Sequence, residues 1–509
     1  MSNKNQKRMV KIIAIVLAVL MAGSAVVAVI LSFGGHYGHA HAEAAPQADN
    51  QYAFTIEYLE DEQALQISQR LVYTNTSDSD LDRVLFYAPA NLLRRESAML
   101  YLYEDPAAAF PEGYIPGGID LASVLVNGER ADYGFQGESE CYLRVACDLK
   151  PREICEFQFD YYLLLSENNS FLGLGKTDCR LSDFYFAAAA YDAYNHDFIL
   201  NTPLSFTAYQ NVEAADFSAA VALPKDYMLA GSGSVQMESE SDGMKLWSVS
   251  CRNARSFALN FGKNLCERSA TTASGVELCC LAKSRSAAED VLRAAEQALT
   301  CLENWFGPCP SPQIHFAESD YAFGFKNSSA NIWLSSDTLK SKDALRHAVY
   351  FSIAQQYFGL TAYAAPSSDA WLSDSISEYL SYLILEEMEG RDAYLEKLNK
   401  EVVPALQLTI PGGLYTTSDA SLMTESEYNI LILDRGAAIF HELCGAMGRE
   451  TFIEALRIFY EKGLETPVLG EYDLVEALDT ASGSSWEGFL TDWLFNIGEM
   501  AAQSYIYLE

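Results

Sequence analysis

Beyond residue 42 the chain holds four histidines: His196, His315, His347 and His441. No two are four residues apart, the spacing that would aim both imidazoles from one helix face at a zinc ion. His441-Glu442-Leu443-Cys444-Gly445 starts like a His-Glu-x-x-His zinc motif but ends in glycine, so it reads as a packing feature. The other grouping is His347 with Asp374 and Glu378. The two acids are four residues apart and share a helix face. One nitrogen and two carboxylates are a conceivable rebuilt zinc site. The competing reading makes His347 a hydrogen-bonded interior histidine and Glu378 the partner of a cation, because no second nitrogen or sulfur ligand is evident. No GxSxG elbow, GxxxxGKS phosphate loop or DxDxDG calcium loop occurs, which weakens serine-hydrolase, nucleotidase and EF-hand readings. The 11 cysteines are odd in number and include no CxxC, so neither a zinc ribbon nor a thioredoxin-like motif is supported.

The elements that must position these residues follow from hydrophobic periodicity. Phe54, Ile56 and Tyr58 alternate with Thr55 and Glu57, and Leu65, Ile67, Leu71 and Tyr73 keep the same two-residue period. Such runs, separated by Gly, Pro, Asn and Asp clusters, predict an antiparallel β-rich domain from residue 51 to about 265. Ser286 and Glu289 have capping-box spacing ahead of a helix that Gly307-Pro308 stops. Helical patterns then dominate: 343–358, 373–388, 434–447, 451–462 and 485–496. The stretch 409–427 reads as a polar loop. The helix over 343–358 is apolar on nearly every side and is therefore central and buried.

At its end stand Phe351-Ser352-Ile353-Ala354-Gln355-Gln356-Tyr357-Phe358-Gly359, followed by Trp371-Leu372-Ser373-Asp374-Ser375-Ile376-Ser377-Glu378-Tyr379. Here the chain resembles the membrane alanyl aminopeptidase family of zinc gluzincins, whose HELxHQWFG segment precedes a glutamate in WLNEGFxxY by 18 residues. Gln355 and Asp374 keep that interval. Phe306–Pro310 resembles the segment before the family's substrate strand, and Gly324-Phe325-Lys326-Asn327-Ser328 stands where the family has GxMEN. Leu433-Asp434-Arg435-Gly436 stands for Tyr-Glu-Lys-Gly. Trp493–Gly498, Leu71–Asn75 and Arg255–Ala258 resemble further landmarks, so the likeness covers roughly 51–509. It implies an α+β chain, with a saddle-like, antiparallel β-rich domain at 51–265 and then a thermolysin-like, mostly helical peptidase domain at 266–509, behind the N-terminal membrane helix read below from the apolar run. It also implies that the family's larger C-terminal helical domain is lacking.

The resemblance carries the frame without its chemistry. Its zinc positions hold Phe351, Gln355 and Asp374. Ser352 replaces the general base, Leu433 the oxyanion tyrosine and Asn327 the acid that binds the substrate amine. Phenylalanine has no lone pair, a glutamine carbonyl is a weak zinc ligand, and serine without a histidine is a poor base. The expectation is a pseudopeptidase with no intact catalytic residue and no cofactor. Its cleft, with Gly324, Asn327, Ser352, Gln355 and Asp374 as candidates, would bind a peptide or a membrane-protein partner. The alternatives are a metallopeptidase with zinc held by His347, Asp374 and Glu378, and a structural accessory protein whose cleft is filled by side chains such as Phe351 and Tyr357.

Composition sets the surroundings. The net charge is −35 and half the residues are apolar, which excludes a disordered chain and argues against nucleic-acid partners. Lys4, Lys7, Arg8 and Lys11 precede an uncharged run from Ile12 to Phe33. About 20 apolar residues span a bilayer, and basic flanks stay cytoplasmic. The expected order is a cytoplasmic stub at 1–11, a transmembrane anchor at 12–33 and a tether at 34–50, giving a single-pass protein of the cell membrane with its bulk extracytoplasmic. Ala40-His41-Ala42 would suit the alternative, a cleaved signal peptide. Asn75, Asn168 and Asn327 head glycosylation sequons.

Overall fold

The computed structural model describes residues 48–205, 211–410, 413–497 and 500. The stub, the anchor at 12–33 and most of the tether lie outside the described residues. Among the described residues no helix is long and apolar enough to cross a membrane.

The alternating residues of the first half form strands with one buried face. The main sheet has eight strands: β1 (Asn50–Leu59), β2 (Ala64–Thr74), β3 (Gly118–Val126), β4 (Glu129–Arg130), β5 (Ile154–Leu164), β6 (Ala215–Pro224), β7 (Ser234–Ser241) and β8 (Met244–Ala254). Their order is β7-β8-β6-β1-β2-β5-β3-β4. Phe54, Ile56 and Tyr58 point inward from β1, while Thr55 and Glu57 do not. The sheet is not wholly antiparallel, as alternation had suggested: β1 runs parallel to β6, from Asn50 opposite Ala215. The period-2 signal reports a buried face and not strand direction. The long chain between the two strands frees them from the hairpin constraint. Two four-stranded sheets and a two-stranded one complete the region, and one core that includes Phe54, Phe157, Phe217 and Phe257 fills it.

A five-stranded sheet opens the second half: β9 (Cys266–Thr271), β10 (Glu277–Ala282), β11 (Gln313–Ser319), β12 (Phe325–Ser328) and β13 (Asn331–Ser335), in the order β9-β10-β11-β13-β12. Strand β12 pairs on one side only, and so borders the site described below. The helices include α1 (Arg285–Phe306), α2 (Lys342–Tyr357), α3 (Asp374–Glu389), α4 (Arg391–Lys397), α5 (Glu425–Tyr428), α6 (Arg435–Met447), α7 (Arg449–Glu465), α8 (Glu471–Ser482) and α9 (Glu487–Phe495), and a short helix spans Val403–Gln407. Their core is distinct from the first and holds Leu299, Ile353, Trp371 and Phe440.

Several local expectations change. The cap of α1 is Ser284; Ser286 lies inside the helix, and Glu289 pairs with Arg285 one turn back. The capping box forms instead at Thr424, whose hydroxyl accepts from Glu427 N while the Glu427 carboxylate accepts from Thr424 N. Helical chain therefore begins at Glu425, inside the stretch read as a polar loop. It continues through a π-helix, Asn429–Asp434, into α6. Helix α8 had no counterpart in the sequence reading. All three sequon asparagines are buried. Asn75 and Asn168 donate their amides to backbone carbonyls, so they form turns and are not exposed acceptors.

Helix α2 packs against both α1 and α3, which explains its all-round apolar surface. Helix α6 crosses α3 at Gly436, where any Cβ would meet the Ser375 side chain at 2.0 Å. That close approach sets the π-helix beside α3. The β-rich half is joined to β11 through a buried ion pair. Arg180 and Asp178 are both buried, and Asp178 accepts from Asn260 at 2.8 Å and Ser319 at 2.7 Å.

Candidate functional site

Four elements aim side chains at one cavity of about 310 Å³. Helix α2 contributes His347, Phe351 and Gln355, a stripe of i, i+4 and i+8. Helix α3 contributes Asp374 and Glu378 at i and i+4. The edge strand β12 contributes Phe325, Lys326 and Asn327. The run from α5 through the π-helix contributes Glu425, Tyr428, Asn429, Leu433 and Asp434, with Glu401 from a second π-helical segment, Leu398–Val402, and Ser205 from the β-rich half. A cavity of this size lies at the lower end of the range for small-molecule sites.

Its floor is a chain of hydrogen bonds. Asn327 Nδ2 donates to Gln355 Oε1 at 2.6 Å, and Gln355 Nε2 donates to Asp374 Oδ1 at 2.7 Å. Tyr428 donates its hydroxyl to Asp374 Oδ2 at 2.6 Å, and Ser373 Oγ reaches Oδ1 at 3.2 Å. Burial pushes the Asp374 carboxyl above its ordinary value, against the three hydrogen bonds that favour its charged form. Asn327 Oδ1 is buried with no partner.

One turn along, His347 Nε2 stands 2.8 Å from both oxygens of Glu378. Burial alone would raise the Glu378 carboxyl. Facing His347 and Lys397 outweighs burial and holds it below its ordinary value. Phe325 and Phe351 pack edge to face, centroids 5.6 Å apart, and both flank the His347 ring. Asp434 lies beside Glu378 and Glu401. Burial, then those two like charges, pushes its carboxyl up to about 8, against Lys397. At the other end Lys326 is buried between Asp183 and Glu425, and its Nζ lies 3.5 Å from Ser205 O. Burial lowers the ammonium, and the two acids oppose that shift.

Of the cleft candidates, Asn327, Gln355 and Asp374 line the cavity and touch one another. Gly324 and Ser352 do not line it. The Gly324 carbonyl accepts from Thr338, and Ser352 Oγ is buried without a partner. Leu433 lines the cavity as an apolar wall. The phenol in the site is Tyr428, five residues earlier, which sequence reasoning passed over. The Thr424-x-x-Glu427 capping signal would have found it, by placing residues 425–434 on one helical run. His347 and Glu378 meet, but Asp374 is committed to Gln355, Tyr428 and Ser373, so the three do not converge. Among the described residues no group of three or more His, Cys, Asp or Glu side chains is arranged to hold a metal ion. Tyr357 is buried, with its hydroxyl on Gly307 O, and does not fill the cleft.

The donor set at the three positions that the resemblance assigns to a metal does not fit zinc. Phe351 offers no donor atom. Gln355 spends its carbonyl on Asn327 and its amide on Asp374. What remains is one carboxylate already satisfied by hydrogen bonds, where zinc calls for about four nitrogen, sulfur or oxygen ligands.

No protein-family model matches the chain. Over 161 residues, 30% of the chain, it is 27% identical to Aminopeptidase N of Lactococcus lactis subsp. lactis. The matched stretch spans only 19% of that protein. Among solved structures, an M1 zinc metallopeptidase from Deinococcus radiodurans aligns with a TM-score of 0.60 and 15% identity, over 88% of this chain and 92% of its own. A mutant of that enzyme bound to a Tyr-Ser-Ala substrate aligns at 0.61 and 16% identity, over 90% and 96%. A two-domain M1 zinc metallopeptidase mutant bound to L-arginine aligns at 0.60 and 15%, over 89% and 94%. These likenesses establish the fold: a β-rich half followed by a helical half, as in the M1 metallopeptidases.

Proposed function

We propose that this chain is a membrane-anchored, extracytoplasmic pseudopeptidase, which binds a peptide or the terminus of a protein partner in its cavity and does not hydrolyse it through zinc. The observation that carries the reading is the Asn327–Gln355–Asp374–Tyr428 hydrogen-bond chain. Two of its members, Gln355 and Asp374, stand where the resemblance puts metal ligands, and the chain satisfies Asp374 without a cation. Ser352 is no base and neither Phe351 nor Gln355 offers an imidazole, so the positions that the resemblance assigns to water activation lack the groups for it. The cavity stays open above that floor, which supports binding over a filled, purely structural cleft. The basic residues ahead of the apolar run at 12–33 support the anchor.

Elemental analysis of the purified full-length protein, paired with a screen of aminoacyl-arylamides and a peptide-binding assay, tests the reading. The expected result is peptide binding without stoichiometric zinc and without turnover. One zinc per chain, removed by a chelator together with hydrolytic activity, would overturn it. Partitioning into the carbonate-resistant membrane fraction is expected, and loss of that partitioning on deleting residues 12–33 would establish the anchor.

A further inference from the structure

The cavity is lined by far more negative than positive charge. Asp374, Glu378, Glu401, Glu425 and Asp434 face one lysine, Lys326, and one histidine, His347. Two of these carboxylates already have partners, Glu378 with His347 and Glu401 with Lys397. Glu425 and Asp434 differ: among the described residues neither makes an ion pair or a side-chain hydrogen bond. They sit on one unbroken helical run, nine residues apart. At the helical rise their backbones are separated by about 13 Å along the axis. The same cavity is lined by the rings of Phe325, Phe351 and Tyr428.

A second, independent feature points the same way. Asn327 is 4% exposed, lines the cavity, and leaves Oδ1 buried without a donor. An orphaned acceptor costs about 1–3 kcal/mol unless something supplies an N–H or O–H. The cavity lining thus holds two acids without ion-pair partners, a residue with an unmet acceptor, and aromatic rings, which suit methylenes and cations alike.

We propose that the cavity takes an organic dication, two positive charges joined by an apolar stem, with one charge at Glu425 and the other at Asp434 and a donor on Asn327 Oδ1. The assignment deepens the binding role proposed above and rests on it. A linear di- or triamine has this chemistry. So does the amino-terminal residue of a peptide when it is lysine or arginine. Burial raises both the Glu425 and the Asp434 carboxyl, and the lysines nearby, Lys326 and Lys397, oppose that shift without cancelling it.

Isothermal titration of the full-length protein in detergent, at moderate salt, decides it. The probes are spermidine, putrescine and lysinamide as dications or higher, with butylamine and leucinamide as monocations and Ala-Ala-Ala as a neutral-side-chain peptide. Expected is one site per chain, with at least one dication binding tenfold or more tighter than either monocation, a difference of about 1.4 kcal/mol. Glu425→Gln and Asp434→Asn should each remove that advantage. The double substitution Glu238→Gln and Glu240→Gln, on exposed strand β7, should leave it intact and so separate the cavity from the acidic surface. Spermidine tighter than lysinamide indicates a polyamine; the reverse indicates a basic peptide terminus. Equal binding of mono- and dications, or dication binding untouched by the cavity variants, overturns the proposal. If Ala-Ala-Ala binds and dications show no advantage, the peptide-binding role stands and the dication assignment alone fails. If nothing binds, both fail.

Discussion

Gln355 Nε2 donates to Asp374 Oδ1 at 2.7 Å, tying the last turn of α2 to the first turn of α3. The same glutamine accepts from Asn327, so one side chain links two core helices to the edge strand β12. Gln355→Leu keeps the volume and deletes both bonds. It leaves Asn327 Nδ2 buried and unpaired and Asp374 Oδ1 with only the longer bond from Ser373 Oγ, a loss of about 2–4 kcal/mol. Denaturant melts of wild type and variant measure it. A change near zero would show that the network contributes little and that the floor of the cavity is held by packing alone.

The donor chemistry can also be restored. Phe351→His with Gln355→His returns two imidazoles one helical turn apart, opposite Asp374, and so supplies three ligands of the type zinc prefers. The double variant is expected to bind about one zinc per chain after dialysis and to melt at a lower temperature once chelator is added. Wild type is expected to show neither effect. Zinc bound equally by both proteins would mean that the metal sits elsewhere.

Much of this arrangement was legible before any coordinates. The stretch 343–358, apolar on nearly every side, read as a central helix, and the resemblance, through the interval between Gln355 and Asp374, implied that those two residues belong to one site. The β-rich half was legible in the alternation around Phe54 and Leu65. Strand direction was not, because alternation encodes a face and carries no information on pairing partners. Tyr428 was missed for a local reason: the Ser, Thr and Glu residues of 416–427 resemble a loop by composition, while Thr424 and Glu427 in fact cap a helix. The acid pair at Glu425 and Asp434 was missed with it, since a π-helix breaks the 3.6-residue period that would have aligned them. Ser286 and Glu289 show the opposite error, a capping spacing without a cap, because the preceding serine, Ser284, already ends the strand connection.

His347 and Glu378 form the other polar bridge between α2 and α3. Glu378 is 1% exposed, so its charge depends on that partner. His347→Leu should cost about 3–5 kcal/mol, the usual penalty for stranding a buried charge. The Glu378 carboxyl is held below its ordinary value in the folded chain. Its stabilising contribution is therefore complete above about pH 4.3, the unfolded value, and fades as pH falls through the folded one. Melting curves from pH 7 down to pH 3 should bring wild type and His347→Leu together. A constant gap across that range would assign the loss to packing against Phe325 and Phe351 instead.

Asp434 predicts the opposite slope. Its carboxyl is pushed up to about 8 by burial and by Glu378 and Glu401, with only Lys397 opposing. In the unfolded chain the same group titrates near 3.9. Both states are protonated below about pH 4, so the group then costs nothing. From there to about pH 8 the unfolded chain sheds the proton more readily, and folding loses stability until the folded group ionises as well. Asp434→Asn removes that loss. Urea melts should find the variant indistinguishable from wild type near pH 4 and more stable by about 2 kcal/mol or more at pH 9, short of the full shift because water reaches part of the side chain. Parallel stability curves would mean that Asp434 is better solvated, or better paired, than its position between two glutamates implies.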